Sequence, residues 1–371
     1  EENARRISDA AEAEEKTVRV VTKSVRSVGV LRRILGVSDR FEGVMAFRAD
    51  EAAFLSEKGL EDILVAYPVW NEDEIEAACE ADAEITLMVS EEEQVERIGG
   101  VVSENGFEEI PLCIDVDMSV DYPGLRFGVY RSKVRSPEDV LELASAVDGT
   151  EGVRLGAVMG YEAQIAGLGG RNPANSKAKN AVIRQLKKRS KDAVLERRGD
   201  AVDALKREGY ELDFVNGGGT GSLELTAADP AVTEVAAGSG FYFPHLFEYH
   251  EDLDYEPAAG YAVEVTRKPA QGVYTCRGGG YVASGPPGVD KAPKPVLPEG
   301  AELTQEGAGE VQTPVRYDGE KNLRWGDPVV FRYSKAGEMC ERFDSLTLLR
   351  TDDEEVIEEV PTYRGEGRCF M

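Results

Sequence analysis

Short runs of Val, Ile and Leu recur along the first two thirds of the chain, each followed by a stretch whose apolar positions return every three or four residues. The runs predict eight strands: Thr17–Thr22, Gly43–Phe47, Ile63–Ala66, Ile85–Val89, Leu112–Asp117, Val153–Met159, Leu212–Val215 and Thr233–Ala237. They are apolar on both faces, as parallel strands covered by helices must be. Helix starts are marked between them. Ser136 precedes Pro137 at a first helical position, and Ser90-Glu91-Glu92-Glu93 loads acid onto a first turn. The longest helical pattern runs from Ser176 to Glu208, with Ile183, Leu186, Val194, Val202 and Leu205 on its inward side. Eight strand and helix units predict an α/β fold, a (β/α)8 TIM-type barrel over residues 1–250. From Glu251 the helical period fades. Runs at Ala262–Thr266, Gly272–Thr275, Pro328–Tyr333, Leu346–Leu349 and Val356–Val360 predict a C-terminal all-β domain over 251–371. Between them, Gly285–Pro298 reads as a long loop, too rich in proline for a central strand.

Charge and cysteine usage narrow the function classes. The formal net charge of -27 over 371 residues argues against nucleic acid or an anionic membrane as partner. An anion bound by so acidic a chain must rest on backbone N–H groups and a few placed cations. Five cysteines, none in a CxxC pair, fit free thiols in a reducing cytosol, and no apolar run reaches the length of a membrane span. The expectation is a cytoplasmic protein. The sequence opens at Glu1 in a polar helical pattern, which suggests a short preceding piece.

Candidate chemistry gathers at predicted strand ends. Asn216-Gly217-Gly218-Gly219-Thr220-Gly221-Ser222 follows strand seven, and Gly238-Ser239-Gly240-Phe241-Tyr242 follows strand eight. Such loops leave N–H groups bare around an anion, and barrels commonly hold phosphates after these two strands. Lys23 ends strand one, which neighbours strand eight once the barrel closes. A phosphate cradle with a strand-end lysine suggests pyridoxal 5'-phosphate (PLP), its aldehyde bonded to Lys23. The cradle candidates are Asn216, Gly218, Gly219, Thr220, Gly221, Gly238, Ser239, Gly240 and Tyr242. Arg126, after strand five, is placed to hydrogen-bond the cofactor's phenolic oxygen; a surface ion pair is the alternative. Tyr161, after strand six, suits the ring nitrogen or face, or core packing. Asp115 and Asp117 either orient Arg126 or stand as satisfied interior carboxylates.

At these residues the chain resembles the fold-type III PLP enzymes, within them the D-threonine aldolase and D-serine dehydratase-like group with an alanine racemase N-terminal barrel. The narrower resemblance is to the branch described as amino acid deaminase/aldolase. It rests on Thr22-Lys23-Ser24-Val25-Arg26, Met159-Gly160-Tyr161-Glu162-Ala163-Gln164, Val215–Ser222, Gly278–Gly285, Lys335-Ala336-Gly337-Glu338 and Thr362–Gly367. The resemblance implies a homodimer, with one subunit's β-domain closing the other's site, and a strand before Glu1. It implies a PLP-dependent lyase of D-amino acids, with retro-aldol cleavage of β-hydroxy-D-amino acids in front. Dehydration with deamination, or racemisation, are the alternatives, and a PLP carrier protein or a phosphosugar-binding barrel the non-lyase ones.

The resemblance breaks at the metal. The group's C-terminal His-x-Cys or His-x-Asp pair falls, aligned from Gly326-Asp327, on Lys335 and Gly337, an implausible ligand set. The only histidines are His245 and His250. A divalent metal is therefore in doubt. Lys335 is the candidate to supply a cation in its place, and Glu338 and Cys340 the candidates to act from the same loop; a purely structural loop is the alternative.

Overall fold

The computed structural model describes residues 1–353 and 355–371. Eight parallel strands close into a barrel: β1 (Thr17–Val21), β2 (Phe41–Ala46), β3 (Asp62–Val65), β4 (Glu84–Val89), β5 (Ile110–Asp115), β6 (Val153–Gly160), β7 (Phe214–Gly217) and β8 (Glu234–Ala237). Closure pairs β1 with β8, Thr17 opposite Glu234 and Val20 opposite Ala237. Every expected barrel strand is present. The sheet carries two apolar faces because each is covered. Inward, Met45, Leu64, Met88, Cys113, Ala157, Met159 and Ala236 form a core of their own. Outward, residues such as Val18, Val20, Ile63, Leu87 and Val158 join the larger core under the helices.

A charged plug sits within this barrel. Arg19, 2% exposed, reaches Glu234 and Asp62, each at 2.7 Å, and lies over the Phe214 ring. Burial opposes the Arg19 charge, yet the two carboxylates outweigh it and hold the guanidinium above its ordinary value. The buried Arg19–Glu234 pair is sustained because its hydrogen bonds are satisfied, with half-exposed Asp62 as the second carboxylate.

The helices start where the sequence signals them. Ser136 accepts from the Asp139 N–H at 3.2 Å and the Asp139 carboxylate returns the bond to Ser136 N, a complete capping box ahead of helix Pro137–Asp148. The long helix is Lys177–Arg207, capped by Ser176. Its second half buries Val194, Val202 and Leu205, whereas Ile183 and Leu186 are only half-buried. The inward assignment of those two needs correcting: at 31 residues the helix is far longer than the 14-residue Glu92–Asn105, itself longer than the remaining barrel helices.

Beyond the barrel, β9 (Tyr261–Ala270), β10 (Val273–Arg277), β11 (Lys294–Leu297), β12 (Glu302–Leu303), β13 (Gln312–Arg316) and β14 (Pro328–Arg332) form an antiparallel sheet. Its order is β11-β14-β9-β10-β13-β12. Strand β11 corrects the reading of Gly285–Pro298 as loop throughout. Its prolines are tolerated because it lies at the sheet edge, where one side makes no ladder. A hairpin of β15 (Ser345–Leu349) and β16 (Val356–Pro361) then returns to the barrel. Ser27 Oγ donates to Pro361 O at 2.7 Å, and Tyr363 N to Arg26 O at 2.9 Å. The C-terminal segment is thereby fastened to the residues just after β1.

Candidate active site

Lys23 lies in the short turn Thr22–Ser24 that ends β1. The Thr22 hydroxyl anchors the turn to β2 through Met45 O at 2.9 Å. Three residues on, Arg26 holds a left-handed backbone (φ 51°), rare for a side-chain-bearing residue and stabilised here by its surroundings. Its guanidinium donates to Lys23 O at 2.9 Å and to Glu341 at 2.7 Å. A Cβ at Gly337 would lie 2.7 Å from Lys23 O, so the 335–338 loop packs on the same turn.

Lys23 opens onto a cavity at the C-terminal ends of the strands. Tyr161, Asn216, Gly218, Gly219, Thr220, Gly238 and Ser239 line it with Lys23, so residues of both glycine loops and the lysine share one cavity. Gly218 has φ 87°, and a Cβ there would lie 3.2 Å from Thr226; one at Gly238 would lie 2.7 Å from Ser24 Oγ. Close approach therefore demands glycine at both positions, and at 218 the left-handed backbone does so as well. Asn216 donates to Glu234 at 2.7 Å, while its Oδ1 is buried without a partner. Burial pushes the Tyr161 phenol up to about 12, so it stays protonated.

Other candidates fall outside the cavity wall. The Gly240 N–H donates to Thr220 Oγ1 at 2.9 Å, tying one glycine loop to the other. Gly221 is required by close approach, since a Cβ would lie 2.2 Å from Ala166 O. Tyr242 is buried, donating to Val25 O at 3.0 Å. Arg126 sits on a hairpin of Val120–Tyr122 and Leu125–Phe127 absent from the strand expectations. It pairs with Asp117, beneath the Tyr130 ring, and does not reach the cavity. Arg131 takes that place, donating to Asp115 at 3.1 Å and to Ala66 O at 3.0 Å. Burial opposes its charge, but Asp115 together with Tyr67 and Tyr161 outweighs burial and raises it. The two aspartates on β5 and just beyond thus serve two different arginines. Two strand-end acids opposite two arginines five residues apart was the signal available.

Glu162 was also missed. It is fully buried and accepts from Arg198 and Ser222 Oγ at 2.6 Å, from Gly218 N at 3.2 Å and from Thr226 Oγ1. Arg198 reaches in from the long helix and also binds Asp229 at 2.6 Å. The Gly218–Ser222 loop is therefore held from beneath by an ion network no local pattern reveals.

Lys335 and Glu338 lie together in a second, larger cavity of about 420 Å³ that contains neither Lys23 nor the glycine loops. Lys335 Nζ donates to Ser284 Oγ at 2.9 Å, and Ser284 Oγ donates to Glu338 at 2.5 Å. Cys340 is buried instead, with Sγ 3.4 Å from Val25 O, and burial pushes its thiol up to about 12. A thiol so placed is no acid–base group near neutral pH, which corrects its candidacy. Among the described residues, no three His, Cys, Asp or Glu side chains gather to hold a metal. No helix among the described residues is long and apolar enough to cross a membrane.

Comparison with known proteins agrees with this fold. The family model described as alanine racemase, N-terminal domain, matches residues 1–245. The 3-hydroxy-D-aspartate aldolase of Paracoccus denitrificans (strain Pd 1222) is 26% identical over 244 residues, 64% of this chain and 56% of that protein. The match thus spans little more than half the length of that relative. Among solved structures, D-threonine aldolase from Filomicrobium marinum superposes with a TM-score of 0.80 at 18% identity, covering 98% of this chain and 92% of that one. D-threo-3-hydroxyaspartate dehydratase from Delftia sp. HT23 gives 0.76 at 17% identity, covering 97% and 94%. These likenesses establish the fold, a barrel followed by a β-domain.

Proposed function

This chain belongs to the alanine racemase N-terminal-domain family, and we propose that it is a PLP-dependent lyase that cleaves β-hydroxy-D-amino acids. The observation that carries the reading is the convergence of Lys23 with both glycine loops on one cavity. The relatives' names, 3-hydroxy-D-aspartate aldolase, D-threonine aldolase and D-threo-3-hydroxyaspartate dehydratase, support the substrate class.

The residues present fit the cofactor. Gly218, Gly219 and Gly238 line the cavity without side chains, and Asn216 Oδ1 is a buried acceptor open to a donor on the cofactor. The backbone around Gly218, Gly219, Thr220 and Ser239 would hold the phosphate, with the Thr220, Ser239 and Ser24 hydroxyls beside it. Protonated Tyr161 would donate to the pyridine ring or pack on it. Arg131, fixed by Asp115 and Ala66 O, would hold the phenolic oxygen anionic. Lys23 would bond the aldehyde carbon. When bound, PLP supplies an electron sink for a bond at the substrate's α-carbon.

Lys335, ordered by Ser284 and Glu338, would place a positive charge in the second cavity, on the loop where the resembling enzymes carry metal ligands. The reading extends to a cytoplasmic homodimer, in which a second copy closes the cavity mouth; exposed Trp70 and Tyr130 around the barrel suit such a cover.

The test is spectroscopic, then chemical. Incubation with PLP is expected to produce an absorbance band near about 420 nm that Lys23→Ala abolishes. A protein left colourless would sink the reading. D- and L-threonine, serine, alanine and 3-hydroxyaspartate, each with and without chelator, then sort the bond broken. Aldehyde release marks an aldolase, keto acid a dehydratase, and loss of optical activity a racemase.

A further inference from the structure

We propose that Tyr67 is the acid–base partner of Lys23: its phenolic oxygen takes a proton from Lys23 Nζ as the amine is engaged and returns it as the amine is released. The proposal rests on the reading of Lys23 as the attachment lysine.

The geometry is direct. Lys23 Nζ donates to Tyr67 Oη at 3.2 Å, and both residues line the same cavity. No carboxylate lies within ion-pair distance of Lys23 among the described residues, so the phenol is the group beside the amine able to accept its proton. Tyr67 follows the end of β3, two residues past Val65. Its neighbour Ala66 supplies the carbonyl that fixes Arg131, whose guanidinium lies 5.0 Å from the Tyr67 ring centroid. The groups facing the phenol are thus two cations, Lys23 from β1 and Arg131 from beyond β5, together with the neutral phenol of Tyr161 from the end of β6. Asp115 lies behind Arg131 and is committed to it.

This setting eases formation of the phenolate. Partial burial resists it, but Lys23 and then Arg131 outweigh burial and bring the phenol below its ordinary value. A lysine amine is protonated at neutral pH and must shed a proton before it can attack a carbonyl carbon. In the proposed step Tyr67 first gives its own proton to water at the rim; the Lys23 N–H bond then breaks and the Tyr67 O–H bond forms, so ammonium and phenolate become amine and phenol. The reverse transfer restores both. Tyr67 is 40% exposed, at the rim, where proton exchange with water is available.

Two measurements test it. In rapid mixing of apoprotein with PLP, Tyr67→Phe is expected to slow the band at about 420 nm by about 100-fold, the usual worth of general acid–base help, while the final amplitude stays the same. In the apoprotein alone, ultraviolet titration is expected to show one tyrosine ionising before the others. That step should vanish in Tyr67→Phe and move to higher pH in Lys23→Ala. Phenylalanine keeps the ring beneath Arg131, and the titration needs no bound cofactor. Equal rates for wild type and Tyr67→Phe, or no early-ionising phenol in the wild-type apoprotein, overturn the proposal. If wild type forms no band at all, it is the attachment reading that fails, and the apoprotein titration still decides whether the pair shares a proton.

Discussion

Glu162 and Arg198, both fully buried, meet at 2.6 Å directly beneath the Gly218–Ser222 loop. The carboxylate follows β6 and the guanidinium comes from the long helix, so two elements 36 residues apart in sequence fix the shape of a third. Glu162 also accepts from Ser222 and Gly218 N within that loop.

Glu162→Gln should therefore cost both stability and cofactor affinity. It keeps the shape but leaves Arg198 buried with Asp229 alone, and removing one member of a buried pair costs about 3–5 kcal/mol. Urea unfolding would show that loss, and a PLP titration at least a tenfold weaker affinity. Unchanged affinity would mean that the loop holds its shape without the network.

Gly218→Ala is expected to be harmful for a different reason. The residue sits at φ 87°, and the new Cβ would meet Thr226 at 3.2 Å. A left-handed backbone costs about 1–2 kcal/mol with a side chain. A lowered melting temperature with weaker PLP binding is the outcome to look for.

Arg131 and Arg126 should separate cleanly. Arg131→Lys loses a fork anchored by Asp115 and Ala66 O inside the cavity, and activity should fall at least about tenfold, since hydrogen bonds to charged groups are worth about 1.5–3 kcal/mol. Arg126→Lys, outside the cavity wall, should stay within about twofold of wild type. Steady-state kinetics of both variants would reveal a reversal if the sequence-based choice of Arg126 were functionally right.

Glu51 gives a pH signature. It is fully buried and accepts from Phe47 N at 2.8 Å and Tyr363 Oη at 3.0 Å. Burial nevertheless pushes its carboxyl up to about 7. The folded state then holds a proton that the unfolded chain has already lost above about pH 4.5. The stabilisation is complete at lower pH and disappears as pH rises through about 7, a swing of about 3 kcal/mol at most. Urea unfolding at pH 5 and pH 8 should show the wild type losing this much more than Glu51→Gln. Parallel pH dependence in the two would refute the assignment.

The sequence by itself determined the barrel and the position of the two glycine loops. Parallel strands covered on both faces must be apolar runs, and the glycines at 218 and 238 are demanded by local backbone and close approach. Strand count alone then put Lys23 beside the loops after β7 and β8, because closing a barrel makes β1 and β8 neighbours. Tertiary structure decided everything that depends on a partner distant in sequence. Asp117 captured Arg126 on a hairpin too short to show a pattern, leaving Arg131 for the cavity. Tyr67 met Lys23 across β1 and β3, and Glu162 met Arg198 from a helix that reads as solvated along most of its length. Cys340, an ordinary loop cysteine in sequence, proved to be buried against Val25. Periodicity records which face of an element is covered, whereas which two charges meet depends on how the elements cross, and no local pattern encodes that.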